Sequence, residues 1–153
     1  GKTDGRNPYS GGLIVDVAGN LYGTTPGGGQ DDIGIVFRLA PNGAESILAS
    51  FGVNKLHAAY PEGSLLAGPA GNLYGATEEG GDGNGTVYRL APDGTAKVLH
   101  SFGARGPDGI EPQAGLIADS ANNLYGTTYG GGGANCGLGC GTVYKTGLPP
   151  QSR

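Results

Sequence analysis

Short apolar runs, each long enough for a strand and too short for a helix, follow one another at the start of the chain. Four of them occupy 12–16, 21–25, 35–40 and 46–51, and turn residues stand between them. The clearest turn is 41–43, because its proline presets the φ of a turn and its glycine accepts positive φ. The pattern predicts four short antiparallel strands joined by hairpins.

The same set of runs returns after about fifty residues. The pair Leu-Tyr stands at 21–22, at 73–74 and at 124–125. We therefore predict an all-β chain, a β-propeller-like tandem repeat of three four-stranded antiparallel blades. The expected blades cover 12–51, 64–102 and 115–147 of a single array over 1–153. The third blade is expected to lack its own fourth strand.

Two kinds of connection alternate within each repeat. The first-to-second and third-to-fourth turns are short and similar between copies, whereas the second-to-third loops at 26–34, 78–85 and 129–141 differ in length and sequence. Alternate turns of an up-and-down sheet lie at opposite ends, so one end of the array is uniform and the other is variable. We expect any recognition site at this variable end, because binding residues gather on loops held by a rigid scaffold.

Composition removes several classes of protein. The chain has 34 glycines and 10 prolines, both of which disfavour helices. Its net charge is -4 and its nine Lys and Arg residues are scattered, so we expect no nucleic-acid partner. No apolar run approaches the roughly 20 residues that cross a bilayer, so no membrane span is expected.

The repeated blocks also carry a family resemblance. The segments 19–25, 85–94 and 98–103 resemble the GloVer-type tandem repeat of secreted, surface-anchored bacterial proteins. The resemblance implies a secreted or cell-surface location and no particular activity. More loosely, 112–124 is similar to the first two strands of NHL-type and streptogramin-lyase-type propeller blades.

Acidic residues gather on the variable loops. Carboxylates from neighbouring blades could hold calcium, which prefers six to eight oxygen ligands, but solvated loop charges explain them better and no metal is predicted. With a tyrosine of the third variable loop they form our candidate ligand-binding set for a glycan or peptide: Asp31, Asp32, Glu78, Glu79, Asp82 and Tyr129.

Cys136 and Cys140 lie close together in the longest variable loop, within Cys-Gly-Leu-Gly-Cys. We predict a local disulfide between them, with free thiols as the alternative, because a zinc site would need two more ligands. A disulfide would indicate an oxidising, extracytoplasmic location.

No catalytic constellation is evident in the sequence. His57 and His100 occupy different positions of the repeat, and no signature joins either one to a nucleophile. The glycine tracts at 27–29 and 130–133 lack the helix and lysine of a phosphate-binding loop. We therefore predict no catalytic residues and no cofactor.

Some residues recur in every copy, which is typical of a scaffold because an active site breaks symmetry. The tyrosines of the second strand are expected to pack between blades, and cations recur on the third strand. The repeated positions are Tyr22, Tyr74 and Tyr125, Asn20, Asn72 and Asn123, and Arg38, Arg89 and Lys145.

These observations favour a non-enzymatic, extracellular structural or adhesive protein. Three blades leave open sheet edges, so we expect the chain to belong to a longer array or to assemble with copies of itself into a ring or fibre. A glycan- or peptide-binding module is the first alternative. A lyase or hydrolase of the streptogramin-lyase kind is the second.

Overall fold

The computed structural model describes residues 4–9, 11–52, 57–103, 109–132 and 139–147. The predicted all-β class is confirmed, since the one helical element in these ranges is a single 3-10 turn at Pro69–Gly71. The strands are β1 (Gly5–Arg6), β2 (Ile14–Val15), β3 (Leu21–Thr25), β4 (Gly27–Gly28), β5 (Ile35–Leu39), β6 (Glu45–Ser50), β7 (Ala58–Ala67), β8 (Leu73–Gly80), β9 (Thr86–Leu90), β10 (Ala96–Ser101), β11 (Ile117–Ala118), β12 (Asn123–Thr127) and β13 (Val143–Gly147). No helix in these ranges is long and apolar enough to cross a membrane.

Three small sheets follow the period of the sequence. The first has the order β2-β3-β5-β6, the second β7-β8-β9-β10, and the described part of the third β11-β12-β13. Every strand pairs with an antiparallel neighbour, and β1 separately pairs with β4. This is the propeller-like arrangement that the repeat predicts.

The second sheet departs from the expected pattern at its beginning. The predicted first blade ends at 51 and the predicted second blade begins at 64, but β7 already begins at Ala58. Ala58 and Ala59 pair with Gly80 and Glu79, which lengthens β8 into the predicted loop. A change of register between Glu62 and Leu66 separates this extension from the rest of β7. The sequence pattern does not predict the extension, because Pro61 disfavours a strand.

The hydrophobic core lies between the sheets, in two clusters. In the first cluster, Val36 and Phe51 of the first sheet pack with Tyr88 of the second. In the second cluster, Val87 of the second sheet packs with Tyr144 of the third. Val87 and Tyr88 are neighbours on β9, so their side chains point to opposite faces. The middle sheet is therefore covered on both sides.

Each sheet also contains one glycine that faces an aromatic ring on the paired strand. The pairs are Gly23 with Phe37, Gly75 with Tyr88, and Gly126 with Tyr144. The glycine after each repeated tyrosine predicts a close approach of neighbouring sheets at this position. The structure shows that an aromatic ring of the same sheet fills the space.

Candidate functional site

A hydrogen-bonded turn joins the first two strands of the first sheet at the uniform end. One carboxylate oxygen of Asp16 accepts the backbone N–H groups of Ala18 and Asn20, both at 2.9 Å. The other oxygen accepts the Asn20 amide at 2.7 Å and the Tyr22 hydroxyl at 2.9 Å. The repeated asparagine and tyrosine of the sequence thus meet on one carboxylate.

The third sheet repeats this turn. Asp119 accepts the Asn123 amide at 2.7 Å and the Tyr125 hydroxyl at 2.9 Å. Hydrogen bonds led by those from Asn20 and Asn123 lower the pKa of Asp16 and Asp119, each from 3.8 to about 2. Hydrogen bonding to a carboxylate favours its charged form. The turn is therefore built around an ionised aspartate.

The second sheet closes the corresponding turn without a carboxylate, through the 3-10 turn at Pro69–Gly71. Gly68 stands where the others have aspartate, and a Cβ there would overlap the ring of Tyr74. Tyr74 is only 2% exposed, and the amide of Asn72 donates to the Pro69 carbonyl at 2.7 Å. Sequence reasoning missed the two aspartates, although an Asp four residues before each outer Asn signals the network.

The recurrent tyrosines and cations are cross-strand partners. Tyr22 lies directly opposite Arg38, Tyr74 opposite Arg89, and Tyr125 opposite Lys145. In the third sheet the Lys145 ammonium lies 5.7 Å from the centre of the Tyr125 ring. A cation at this distance is attracted by the ring. In the third sheet this contact therefore supports the pairing of β12 with β13.

At the variable end, Asp31 and Asp32 line a groove of about 520 Å³, which Asp4, Arg6 and Gly28 also border. Arg6 forms an ion pair with Asp32. The backbone N–H of Gly28 and the Arg6 guanidinium lower the pKa of Asp32. The groove is thus polar, with a paired carboxylate beside Asp31.

The other candidate ligand residues lie on different loops. The Glu78 carboxylate accepts the Gln113 amide at 3.0 Å, and the Asp82 backbone N–H donates to Ser101 at 2.9 Å. Glu79, on β8, pairs with Ala59 of β7, and Tyr129 is 61% exposed. Within the described ranges, none of these four residues lines the groove beside Asp31, and no group of three or more His, Cys, Asp or Glu side chains could hold a metal ion.

The two histidines and Cys140 also lie apart from that groove. His100 packs edge-on against Phe102, with ring centres 4.6 Å apart, while exposed His57 precedes β7. Cys140 is exposed, and Cys136 lies outside the described residues. The disulfide between them stays a prediction.

A backbone contact at the variable end joins the first sheet to the second. The N–H of Tyr60 donates to the Ile33 carbonyl at 2.9 Å. A Cβ on the adjoining Gly34 would overlap Cδ of Pro61. Tyr60 holds a φ of 57°, which is uncommon for a residue other than glycine.

The second and third sheets repeat this contact. The N–H of Glu111, at φ 57°, donates to the Asn84 carbonyl at 2.9 Å. A Cβ on Gly85 would lie 2.5 Å from Cδ of Pro112. We call this repeated contact the inter-sheet clip. In it, the carbonyl before a glycine accepts the N–H of a positive-φ residue, and the glycine packs against the proline that follows this residue.

The outer surface of the first sheet and that of the third sheet are the two end faces of the stack. They resemble the two surfaces that pack together between neighbouring sheets. Val143 occupies the repeat position of Val36 and Val87, but it is 78% exposed where they are 0% exposed. We call the surface around Val143 the last end face. The first end face is a groove of about 320 Å³ that includes Pro8, Phe37 and Leu39.

Small antiparallel sheets stacked through one repeated contact define a propeller-type repeat module. The chain belongs to the Gloeobacter/Verrucomicrobia repeat family, whose model matches residues 1–149, and this confirms the GloVer-type resemblance. It is also similar to the X-ray structure of a "putative gluconolactonase", with 22% identity and a TM-score of 0.48. The match covers 92% of this chain and 48% of that one, so the chain spans about half its length. No curated protein matches.

Proposed function

We propose that this chain is a non-catalytic structural module that assembles with copies of itself through its two end faces. The observation that carries the proposal is the exposure of Val143, which is 78%, against 0% for Val36 and Val87 at the same repeat position. Burying a valine side chain contributes about 1.5 to 3 kcal/mol. Covering the last end face is therefore favourable, as it is for the inner sheets.

The first end face offers the matching surface. Tyr88 and Leu90 pack against the first sheet and are each 1% exposed. Phe37 and Leu39 hold the same repeat positions on the first sheet, where both are only half-buried beside the end groove. The last end face of one copy would therefore contact the first end face of another copy. There it would find the same types of residue that cover Val36 within the chain.

Assembly is tested by measuring molar mass in solution. We expect the 153-residue chain to sediment as multiples of its 15.1 kDa mass. Val143→Asp places a charge on the last end face and should give a folded monomer. Val17→Asp is the matched control, because Val17 is fully exposed in a turn at the uniform end and away from both end faces. A folded wild-type chain that stays monomeric at high concentration would overturn the proposal.

We also place this module outside the cytoplasm. The family resemblance supports a secreted or surface location, and a disulfide between Cys136 and Cys140 would persist there. Intact mass after alkylation, with and without prior reduction, tests the disulfide. The thiols should become alkylated only after reduction, whereas labelling of the unreduced native chain would contradict the pairing.

The groove beside Asp31 favours a second candidate function, the binding of a glycan or peptide. Its volume of about 520 Å³ is within the range of small-ligand sites. Glycan and peptide arrays should show binding that Asp31→Asn weakens and that Asp93→Asn, in a turn at the uniform end, leaves unchanged. Equal binding by wild type and Asp31→Asn would exclude this groove as the site.

A further inference from the structure

We infer that the copies join head to tail in one register. In this register the Asn7 N–H of one copy donates to the Cys140 carbonyl of the next, and Pro8 packs against Gly141. The inference rests on the proposed assembly and specifies its geometry. It extends to two chains the inter-sheet clip that joins the sheets within one chain.

The clip has the same parts at both inner interfaces. A loop carbonyl, from Ile33 or Asn84, accepts the backbone N–H of the residue before a proline, at 2.9 Å in each case. The following glycine lies so close to the proline ring that a Cβ would not fit. The clip therefore fixes the register of neighbouring sheets through one backbone hydrogen bond and the contact of a glycine with a proline ring.

The half of a third clip that supplies the N–H and the proline is present on the first end face. Asn7 precedes Pro8 and has a φ of 60°, which matches the 57° of Tyr60 and of Glu111. A residue before proline is restricted to extended conformations, and positive φ is uncommon for a residue other than glycine. Asn7 nevertheless holds the conformation that its two counterparts adopt inside formed clips. It is already shaped to receive a partner.

The carbonyl-glycine half is present on the last sheet. Gly141 has a φ of 73°, and a Cβ on it would meet the carbonyl of Thr128, just as one on Gly34 would meet the Thr25 carbonyl and one on Gly85 the Thr77 carbonyl. At Gly34 and Gly85 a proline ring is among the nearest atoms, whereas the nearest atoms at Gly141 belong to Thr128 and Tyr129. The proline of another copy would complete the contact.

The two halves lie on the two opposite end faces, because Pro8 borders the groove with Phe37 while Gly141 precedes exposed Val143. An interface between different surfaces is heterologous. Such an interface closes into a ring if the rotation allows and otherwise extends into a filament. The proposed partner is therefore a second copy of this chain, bound head to tail in either outcome.

Two blocked variants test the polarity. Pro8→Asp removes the ring from the first end face, and Val143→Asp charges the last end face. Each variant alone should be monomeric, and their equimolar mixture should form a one-to-one complex of twice 15.1 kDa, since one intact interface remains. Dimerisation of either variant alone would overturn the head-to-tail polarity. A monomeric wild type would instead refute the assembly itself.

A second pair of variants tests the clip within that interface. Asn7→Gly accepts positive φ and should keep wild-type association, whereas β-branched Asn7→Val should weaken it at least tenfold. Asn42→Val, at an exposed turn of the uniform end, is the matched control and should not change association. If wild type assembles and Asn7→Val associates equally well, the register is wrong while the proposed assembly stands.

Discussion

Gly75 lies directly opposite Tyr88 in the middle sheet, and a Cβ on Gly75 would sit 2.5 Å from the tyrosine oxygen. The ring of Tyr88 covers the glycine and reaches the core between the first two sheets. The same glycine-aromatic relationship occurs in the other two sheets, so it is part of the repeat and not a local accident.

Gly75→Ala should destabilise the chain by about 1 to 3 kcal/mol, because the fully buried ring cannot move without disturbing the core. Urea unfolding followed by circular dichroism measures the change. Gly103→Ala is the matched control, since nothing lies within 4 Å of a Cβ there. Equal midpoints for the two variants would show that the ring does not need the glycine.

Tyr88→Phe should leave stability unchanged or raise it by up to about 1 kcal/mol. The Tyr88 hydroxyl is buried without a hydrogen-bond partner among the described residues, and burial raises its pKa. The first sheet carries Phe37 at this position, so the ring alone suffices there. Thermal unfolding of wild type and variant makes the comparison, and a marked loss of stability would reveal an essential hydroxyl.

Acid should weaken the two turns centred on Asp16 and Asp119. Their pKa values are lowered in the folded chain from 3.8 to about 2, so the folded state favours the charged carboxylates. Their stabilisation is present above pH 3.8 and is lost as the pH falls towards 2. The free energy of unfolding, measured by urea titration between pH 5 and about pH 2, should fall over this range.

The double variant Asp16→Asn with Asp119→Asn should show a shallower dependence on pH over the same interval. Asp82→Asn removes a carboxylate from an exposed loop and serves as the control. An unchanged slope in the double variant would assign the acid sensitivity to other groups.

The sheets were predictable because their signals are local. Each strand is a short apolar run, and Leu21-Tyr22 returns with the period, so β3 falls where the pattern puts it. The start of β7 was not predictable, because Ala58 and Ala59 pair with the end of β8 across a change of register that only the tertiary structure determines. The low strand propensity of proline at position 61 predicts that no strand runs there.

The candidate site was harder to predict for the same reason. The sequence identifies the acidic residues of the loops, but the paths of the loops determine which of them line the same groove. Asp31 and Asp32 line one groove, and Glu78 does not line it. The inter-sheet clip could not be predicted from the sequence, because its hydrogen bond joins two backbone groups. Its sequence trace is only a glycine in one repeat and a proline in the next.

Stability measured against protein concentration tests the central claim most directly, namely that the end faces are unfilled halves of the inter-sheet contact. A ligand or partner that binds only the folded state makes unfolding concentration-dependent. We predict that the urea midpoint of the wild-type chain rises over a hundredfold increase in concentration, while that of Val143→Asp stays constant. Identical, concentration-independent midpoints for both proteins would contradict the account.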